Sequence, residues 1–386
     1  MSTWNEFTIS AIGNVVGGGT PSTKHPEYYG DDIPWITPKD LSNFNARYIA
    51  RGERSISQQG YDNSSTQMMP VGTVLFSSRA PIGYVAIAQN ELCTNQGFKS
   101  VIPHPEICDS EFLYYLLSYR KHDIEAIASG TTFMEVSGTA LKNFVVRIPD
   151  ISTQKRIASV LSVLDARIES NHAINHNLEE QAKAIFEDYY DLSQDCVPFC
   201  DLISLKGGGT PKTTTSEYWN GDVLFFTPKD VGSPYTISTE KTITAFGLKN
   251  CNSILYPLRT VFVTARGTVG KVALAGRQMA MNQSCYALLG KGIDQILVYF
   301  YTLKTIKSLQ HKASGAVFDA ITTKDFESEK ILKLSNENAK KFLSIASPIF
   351  DKILENTLEN ERLAQLRDTL LPKLMSGEID VSEVEV

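Results

Sequence analysis

Gly17-Gly18-Gly19-Thr20-Pro21, followed by Thr37-Pro38-Lys39-Asp40, returns without a gap as Gly207-Gly208-Gly209-Thr210-Pro211 and Thr227-Pro228-Lys229-Asp230, 190 residues later. The correspondence extends outward from these blocks. Ser78-Arg79, Gly83 and Val85-Ala86 match Ala265-Arg266, Gly270 and Val272-Ala273 at a shift of 187, and Asn95-Gln96 matches Asn282-Gln283 at the same shift. Ala128-Ser129-Gly130 with Phe133 matches Ala313-Ser314-Gly315 with Phe318 at 185. The shift falls only twice, so one ancestral unit was doubled and lightly trimmed. A period this long means a duplicated domain, since solenoid repeats run about 20–50 residues.

With 386 residues, each copy is long enough to bury its own core. No apolar run approaches the roughly 18 residues that cross a bilayer, and residues 1–10 lack the basic and apolar regions of a signal peptide. The expectation is a cytoplasmic protein without membrane contact. Its six cysteines contain only one close pair, Cys196 and Cys200, which reads as reduced thiols rather than a clustered zinc site. The net charge of −6 is unevenly placed. Residues 1–150 carry 11 basic and 15 acidic side chains, residues 191–335 carry 16 and 12, and residues 336–386 carry six and ten. Such an average can hide a nucleic-acid-binding face. The acidic C-terminal tail would be repelled by phosphate and is expected to lie away from it.

The expected fold class is α+β. It comprises two homologous mixed, strand-rich domains separated by two long helices that pair as an antiparallel coiled coil. Residues 1–150 form the first domain, 151–190 the first helix, 191–335 the second domain, 336–376 the second helix and 377–386 the tail. Runs at 71–76, 84–88 and 144–148 read as strands, and 111–120 and 123–128 as helices. The first long helix carries Ile157, Leu161, Leu164, Ile168, Asn171, Asn175, Leu178, Ala182, Ile185 and Tyr189 at alternating spacings of four and three. A second seam, Phe342, Ala346, Ile349, Ile353, Asn356, Asn360, Leu363, Arg367, Leu370 and Leu374, maps onto it at a shift of 185. Such a pattern sustained over four heptads is a coiled-coil signature. Asn in a seam costs stability but fixes register. Antiparallel pairing puts Asn171 opposite Asn360 and Asn175 opposite Asn356. Pro348 and Pro372 predict a bend near the start of the second helix and an end near Pro372.

No motif assembles a catalytic site. The glycine-rich loops lack the Gly-Lys-Ser/Thr of a nucleotide-binding loop, and no methyltransferase, hydrolase-elbow or deaminase motif is present. The loops read either as tight turns near a nucleic-acid backbone or as structural turns. Arg79 and Arg266, in matched Arg-x-x-x-Gly turns, suit phosphate or guanine and equally suit a domain carboxylate. Lys39 and Lys229 are similarly balanced. His172 and His176 have metal-ligand spacing but no third ligand, so no metal is expected.

The order of mixed domain, long helix, mixed domain, long helix comes with Gly-Gly-Gly-Thr-Pro, Asn95-Gln96, Ser129-Gly130 and Gln154-Lys155-Arg156-Ile157 after Ile148-Pro149. It closes on Leu371-Pro372-Lys373-Leu374-Met375-Ser376-Gly377-Glu378. Together these resemble the DNA-specificity subunit of type I restriction–modification systems along essentially the whole chain. The resemblance implies a non-catalytic subunit that reads a split, asymmetric site in double-stranded DNA, one half per domain. It implies helices that set the spacing and dock two modification subunits. Those partners would bind S-adenosylmethionine, a restriction (motor–nuclease) subunit would use ATP and Mg, and this chain would bind no cofactor itself. The alternative is a coiled-coil adaptor with no nucleic-acid role. One departure is the Pro-Asp-Ile-Ser-Thr stretch at 149–153, where the family often has a Pro-rich acidic linker; it leaves the entry into the first helix open.

Two domains that read different half-sites should share backbone-positioning residues and differ where bases are read. The shared set is Gly19, Thr20, Lys39, Arg79, Asn95 and Gln96, with Gly209, Thr210, Lys229, Arg266, Asn282 and Gln283. The divergent stretches are 42–53 against 232–240 and those after Gly130 and Gly315. Asn43, Asn45, Arg47 and Arg51 in the first domain, and Tyr235 and Thr236 in the second, have side chains able to read base edges.

Overall fold

The computed structural model describes residues 3–42, 44–130, 134–232, 234–312 and 320–384. Asn43 and the stretches directly after Gly130 and at Gly315 lie outside them. The chain forms two compact units, residues 1–170 with 361–386, and residues 171–360.

In the first unit a five-stranded sheet runs in the order Gly13–Gly17, Lys99–Pro103, Val74–Ser78, Ile82–Ala88, Tyr48–Ile49. A three-stranded sheet sets Tyr29–Ile36 between Ser55–Ile56 and Cys93–Thr94, and Asn5–Thr8 pairs antiparallel with Val145–Ile148. In the second unit the same order returns: Ile203–Gly207, Cys285–Gly290, Val261–Thr264, Val272–Ala275, Tyr235–Thr236. There Trp219–Phe226 lies between Thr242–Ile243 and Met279–Met281, and Asp195–Pro198 pairs with Lys330–Lys333. The duplication read from sequence is therefore a duplication of topology.

Alternate residues of a strand face opposite sides of its sheet, and here each side has a core. Val74 and Phe76 face a cluster with the helix Ser110–Tyr119 and with Ile157 and Leu161 of the first long helix. Leu75 faces a second cluster, with Ile36, Met69 and Phe98. Likewise Val261 and Val263 meet Phe300 of the helix Gln295–Lys312 and Phe186, Phe342 and Phe350 of the long helices, while Phe262 meets Phe226, Tyr256 and Met281.

The long helices run Ile151–Asp191 and Asn336–Met375. Asp150 caps the first, accepting from the Thr153 amide at 3.0 Å and from its hydroxyl at 2.8 Å. This settles the helix entry left open above. The second helix continues through Pro348 and ends three residues beyond Pro372, close to the expected end. A proline inside a helix costs about 3 kcal/mol. Burial of Phe342, Ala346, Phe350 and Ile353 on either side of Pro348 offsets that cost. Gly377 (φ 76°) ends the helix: its amide bonds to the Leu374 carbonyl at 3.2 Å and the Glu378 amide to that of Lys373 at 3.0 Å. This is the left-handed cap that glycine adopts without penalty. The tail beyond it packs on the first unit. Val381 is buried, and Arg156 Nε donates to the Val384 carbonyl at 3.1 Å. Among the described residues no helix is long and apolar enough to cross a membrane.

The helix segments run antiparallel within each unit. In the second, Asn171 Nδ2 donates to Asn360 Oδ1 and Asn356 Nδ2 to Asn175 Oδ1, both at 2.8 Å, and all four residues are buried. These are the two pairings expected from the seam. In the first, Arg367 Nη1 donates to Asp165 Oδ1 at 2.7 Å, and the Tyr115 hydroxyl donates to Oδ2 of the same carboxylate at 2.6 Å.

Candidate nucleic-acid interface

In each unit the duplicated motifs, far apart in sequence, meet at one end of the strand-rich domain. The Gly19 amide donates to the Thr94 carbonyl at 2.9 Å, and the Thr20 hydroxyl bonds to Gln96 Oε1. Asn95 makes the turn that presents Gln96, its side-chain oxygen accepting from the Gly97 amide at 2.8 Å. Ser78, next to Arg79, donates its amide to the Gly97 carbonyl at 2.7 Å. The second unit repeats this. Gly209 donates to the Met281 carbonyl at 3.2 Å, Thr210 bonds to Gln283, Asn282 accepts from the Ser284 amide at 3.0 Å, and the Ala265 amide reaches the Ser284 carbonyl at 2.8 Å.

Thr-Pro-Lys-Asp has a shared architectural task. Asp40 accepts from the amide and hydroxyl of Thr37, and its other oxygen accepts from the Glu53 amide, all at 2.7 Å. Asp230 does the same for Thr227 and the Glu240 amide. The carboxylate clamps both ends of the divergent loop, a capping box with one extra acceptor. The intervening lysines stay exposed beside carboxylates: Lys39 lies 2.6 Å from Glu53 and Lys229 3.5 Å from Glu240. Glu53 holds the Lys39 ammonium above its ordinary range, chiefly through their hydrogen bond.

At Gly19 and Gly209 the chain's own backbone passes too close for a side chain. A Cβ on Gly19 would stand 2.4 Å from the Thr66 amide nitrogen, and one on Gly209 2.7 Å from that of Asn252. Asn95 and Asn282 are turn-makers. Thr20, Gln96, Thr210 and Gln283 form the matched polar surface.

Among the base-reading candidates the structure makes three corrections. Arg47 is buried: Nη1 lies 3.2 Å from Glu111 and Nε 3.4 Å from Glu169 of the first long helix, so it fastens the divergent loop to that helix. Tyr235 and Thr236 are buried too. Tyr235 packs edge-on to Phe350, and burial pushes its phenol up to about 12. The Thr236 hydroxyl is spent between the Asp230 carbonyl and the Gly232 amide. Asn45 is exposed, and Arg51 is half exposed with its guanidinium on Ser55 and Asp31. Arg79 lies 3.5 Å from Glu135, whereas Arg266 is exposed with no carboxylate partner among the described residues. Sequence reasoning missed Lys206 and Lys212, both exposed beside the second glycine loop, although their nearness to it was legible. It also missed Trp35, whose indole donates to the Gly19 carbonyl at 3.0 Å.

A duplicated strand-rich domain with a matched polar end, each copy packed on segments of two antiparallel helices, defines a class of two-domain recognition proteins built around a helical pair. The comparisons make the class specific. Residues 1–180 and 197–366 match the family described as type I restriction modification DNA specificity domain, and the chain belongs to that family. It is 32% identical over 414 residues to the type I restriction enzyme MjaIX specificity subunit of Methanocaldococcus jannaschii, covering 99% of this chain and 94% of that one. It is 24% identical to the HindI specificity subunit of Haemophilus influenzae, covering 98% and 100%. A crystal structure of a type I restriction–modification S subunit from M. genitalium shares the fold, with a TM-score of 0.60 at 16% identity over 97% of this chain and 96% of that one.

Proposed function

We propose that this chain is the sequence-reading, non-catalytic subunit of a type I restriction–modification complex, acting in the cytoplasm on double-stranded DNA. Each strand-rich domain reads one half of a bipartite, asymmetric site. The helical pair sets the gap and docks two modification subunits, which bind S-adenosylmethionine and methylate adenine. A restriction subunit, where present, brings ATP and Mg. The observation that carries the reading is that one chain builds the same loop convergence twice and varies the loop between its fixed turns. Phosphate contacts position a protein and base contacts specify its site, so two such ends with different loops suit two different half-sites.

The test exchanges residues 1–150 for the equivalent domain of a relative and maps methylated adenines by single-molecule sequencing. One half of the target should change and the other stay, since well-separated contacts add roughly independently. A change in both halves would overturn modular reading. Absence of DNA binding, with and without the modification subunit, would leave the adaptor reading.

A further inference from the structure

The duplication supplies an internal control, because each matched position can be compared in its two surroundings. Arg79 and Arg266 occupy the same turn, but their electrostatics differ. Glu135 lies 3.5 Å from Arg79 and 3.3 Å from Lys99, and holds both. Neither Glu135 nor Lys99 has a charged equivalent: Ala320 and Tyr286 stand at the matching positions, and Arg266 is exposed with no carboxylate partner among the described residues. The glycine loops differ in the same sense. Lys206 and Lys212 flank the second, where the first has Val16 and Ser22. The single lysine of the first loop, Lys24, is followed by Glu27, Asp31 and Asp32, whereas Glu217 and Asp222 follow the second. The charge of the whole domains agrees, residues 1–150 summing to −4 and residues 191–335 to +4.

Resting on the reading of this chain as a DNA-binding subunit, we propose that the two domains hold DNA unequally. The second is the electrostatic anchor, through Arg266, Lys206 and Lys212. In the first, Glu135 pairs with both Arg79 and Lys99 and offsets one of their two charges, so that domain engages DNA with fewer phosphate contacts. Binding that neutralises phosphates releases counterions, so the logarithm of affinity falls with the logarithm of salt by about 0.9 per phosphate contacted. The asymmetry is therefore readable from salt slopes without knowing the target sequence.

The experiment measures binding of the full chain to a random-sequence duplex across a salt series. Arg266→Gln should flatten the slope by about 0.9, and K206Q/K212Q/R266Q together by roughly two or more. Arg266→Lys, which keeps the charge, should restore most of it. Arg79→Gln should change the slope by less than half as much as Arg266→Gln. Glu135→Gln, which frees two cations, should tighten binding and steepen the slope by about one to two. Equal losses from Arg79→Gln and Arg266→Gln, or no gain from Glu135→Gln, would overturn the proposal. A wild-type chain with no salt-dependent binding would instead sink the DNA-binding reading itself.

Discussion

Arg47 and Arg51 stand four residues apart in one divergent loop, yet only Arg47 is enclosed. Its guanidinium sits between Glu111 and Glu169, and the Tyr48 hydroxyl bonds to Glu111 as well. Removing one partner of a buried pair leaves the other charges uncompensated. Arg47→Ala should therefore cost about 2–3 kcal/mol, somewhat under the fully buried case because both carboxylates keep some solvent. Arg51, half exposed on Asp31, should cost about 1 kcal/mol or less when truncated. Chemical denaturation of the two variants checks the contrast, and equal losses would contradict it. This distinction was closed to sequence reasoning. Glu169 lies 122 residues from Arg47, and nothing local marks a polar loop residue as pinned to a distant helix. Tyr235 and Thr236 misled for the same reason: in a short parallel pairing with Val272–Ala275 the Tyr235 ring packs on Phe350 and the Thr236 hydroxyl is taken up by Asp230 and Gly232. The shared turns were legible because duplication repeats them.

At the scale of elements the long helices depend on their caps and their asparagines. Thr153 donors hold the Asp150 carboxyl below its ordinary range, the Thr153 amide being the largest cause. A group whose folded pKa is depressed contributes stability above its unfolded value of about 3.9, and that contribution is lost as pH falls through the folded value. Asp150→Ala should cost about 1 kcal/mol near neutrality. Asp150→Asn keeps a capping oxygen but cannot titrate, so the stability gap between it and wild type should narrow as acid protonates Asp150. Urea melts over a pH series measure this, and a gap that widens in acid would refute it. In the seam, Asn171→Leu removes the donor to the buried Asn360 Oδ1 and should destabilise by about 1–3 kcal/mol. Replacing both by Leu should recover most of that loss while relaxing register. Cross-linking between engineered cysteines along the helices would report slipped pairings. The asparagine partners were readable from sequence because pseudo-twofold symmetry leaves one antiparallel solution. What offsets the cost of Pro348 was not, since the aromatic packing beside it comes from Phe300 and Tyr299 on another element.

Over the whole molecule, the sequence period disclosed two equivalent domains, but not how each claims the helices. Each compact unit takes a segment of both, changing over between Ser170 and Asn171 in one helix and between Asn360 and Glu361 in the other. The cause is burial. Phe186, Phe342 and Phe350 complete the second unit's core, and Ile157, Leu161 and Leu374 the first's. Ile157, Leu161, Phe342 and Leu374 are themselves seam positions, so heptad spacing alone cannot tell a helix contact from a domain contact. The changeover points are where the proposed ruler can be altered without disturbing either core. Four residues inserted at both points leave every described hydrogen bond within each unit in place. They lengthen the pair by about 6 Å and turn it by roughly 40° beyond a full turn, at about 1.5 Å and 100° per residue. B-DNA advances about 3.4 Å per base pair and turns once in roughly 10.5. Translation and rotation then both correspond to a gap longer by one or two base pairs. Methylation of substrates that differ only in gap length should show the optimum moving by that amount, with both half-site sequences unchanged. A folded, active complex with its optimum unmoved would mean that the modification subunits, and not these helices, fix the spacing.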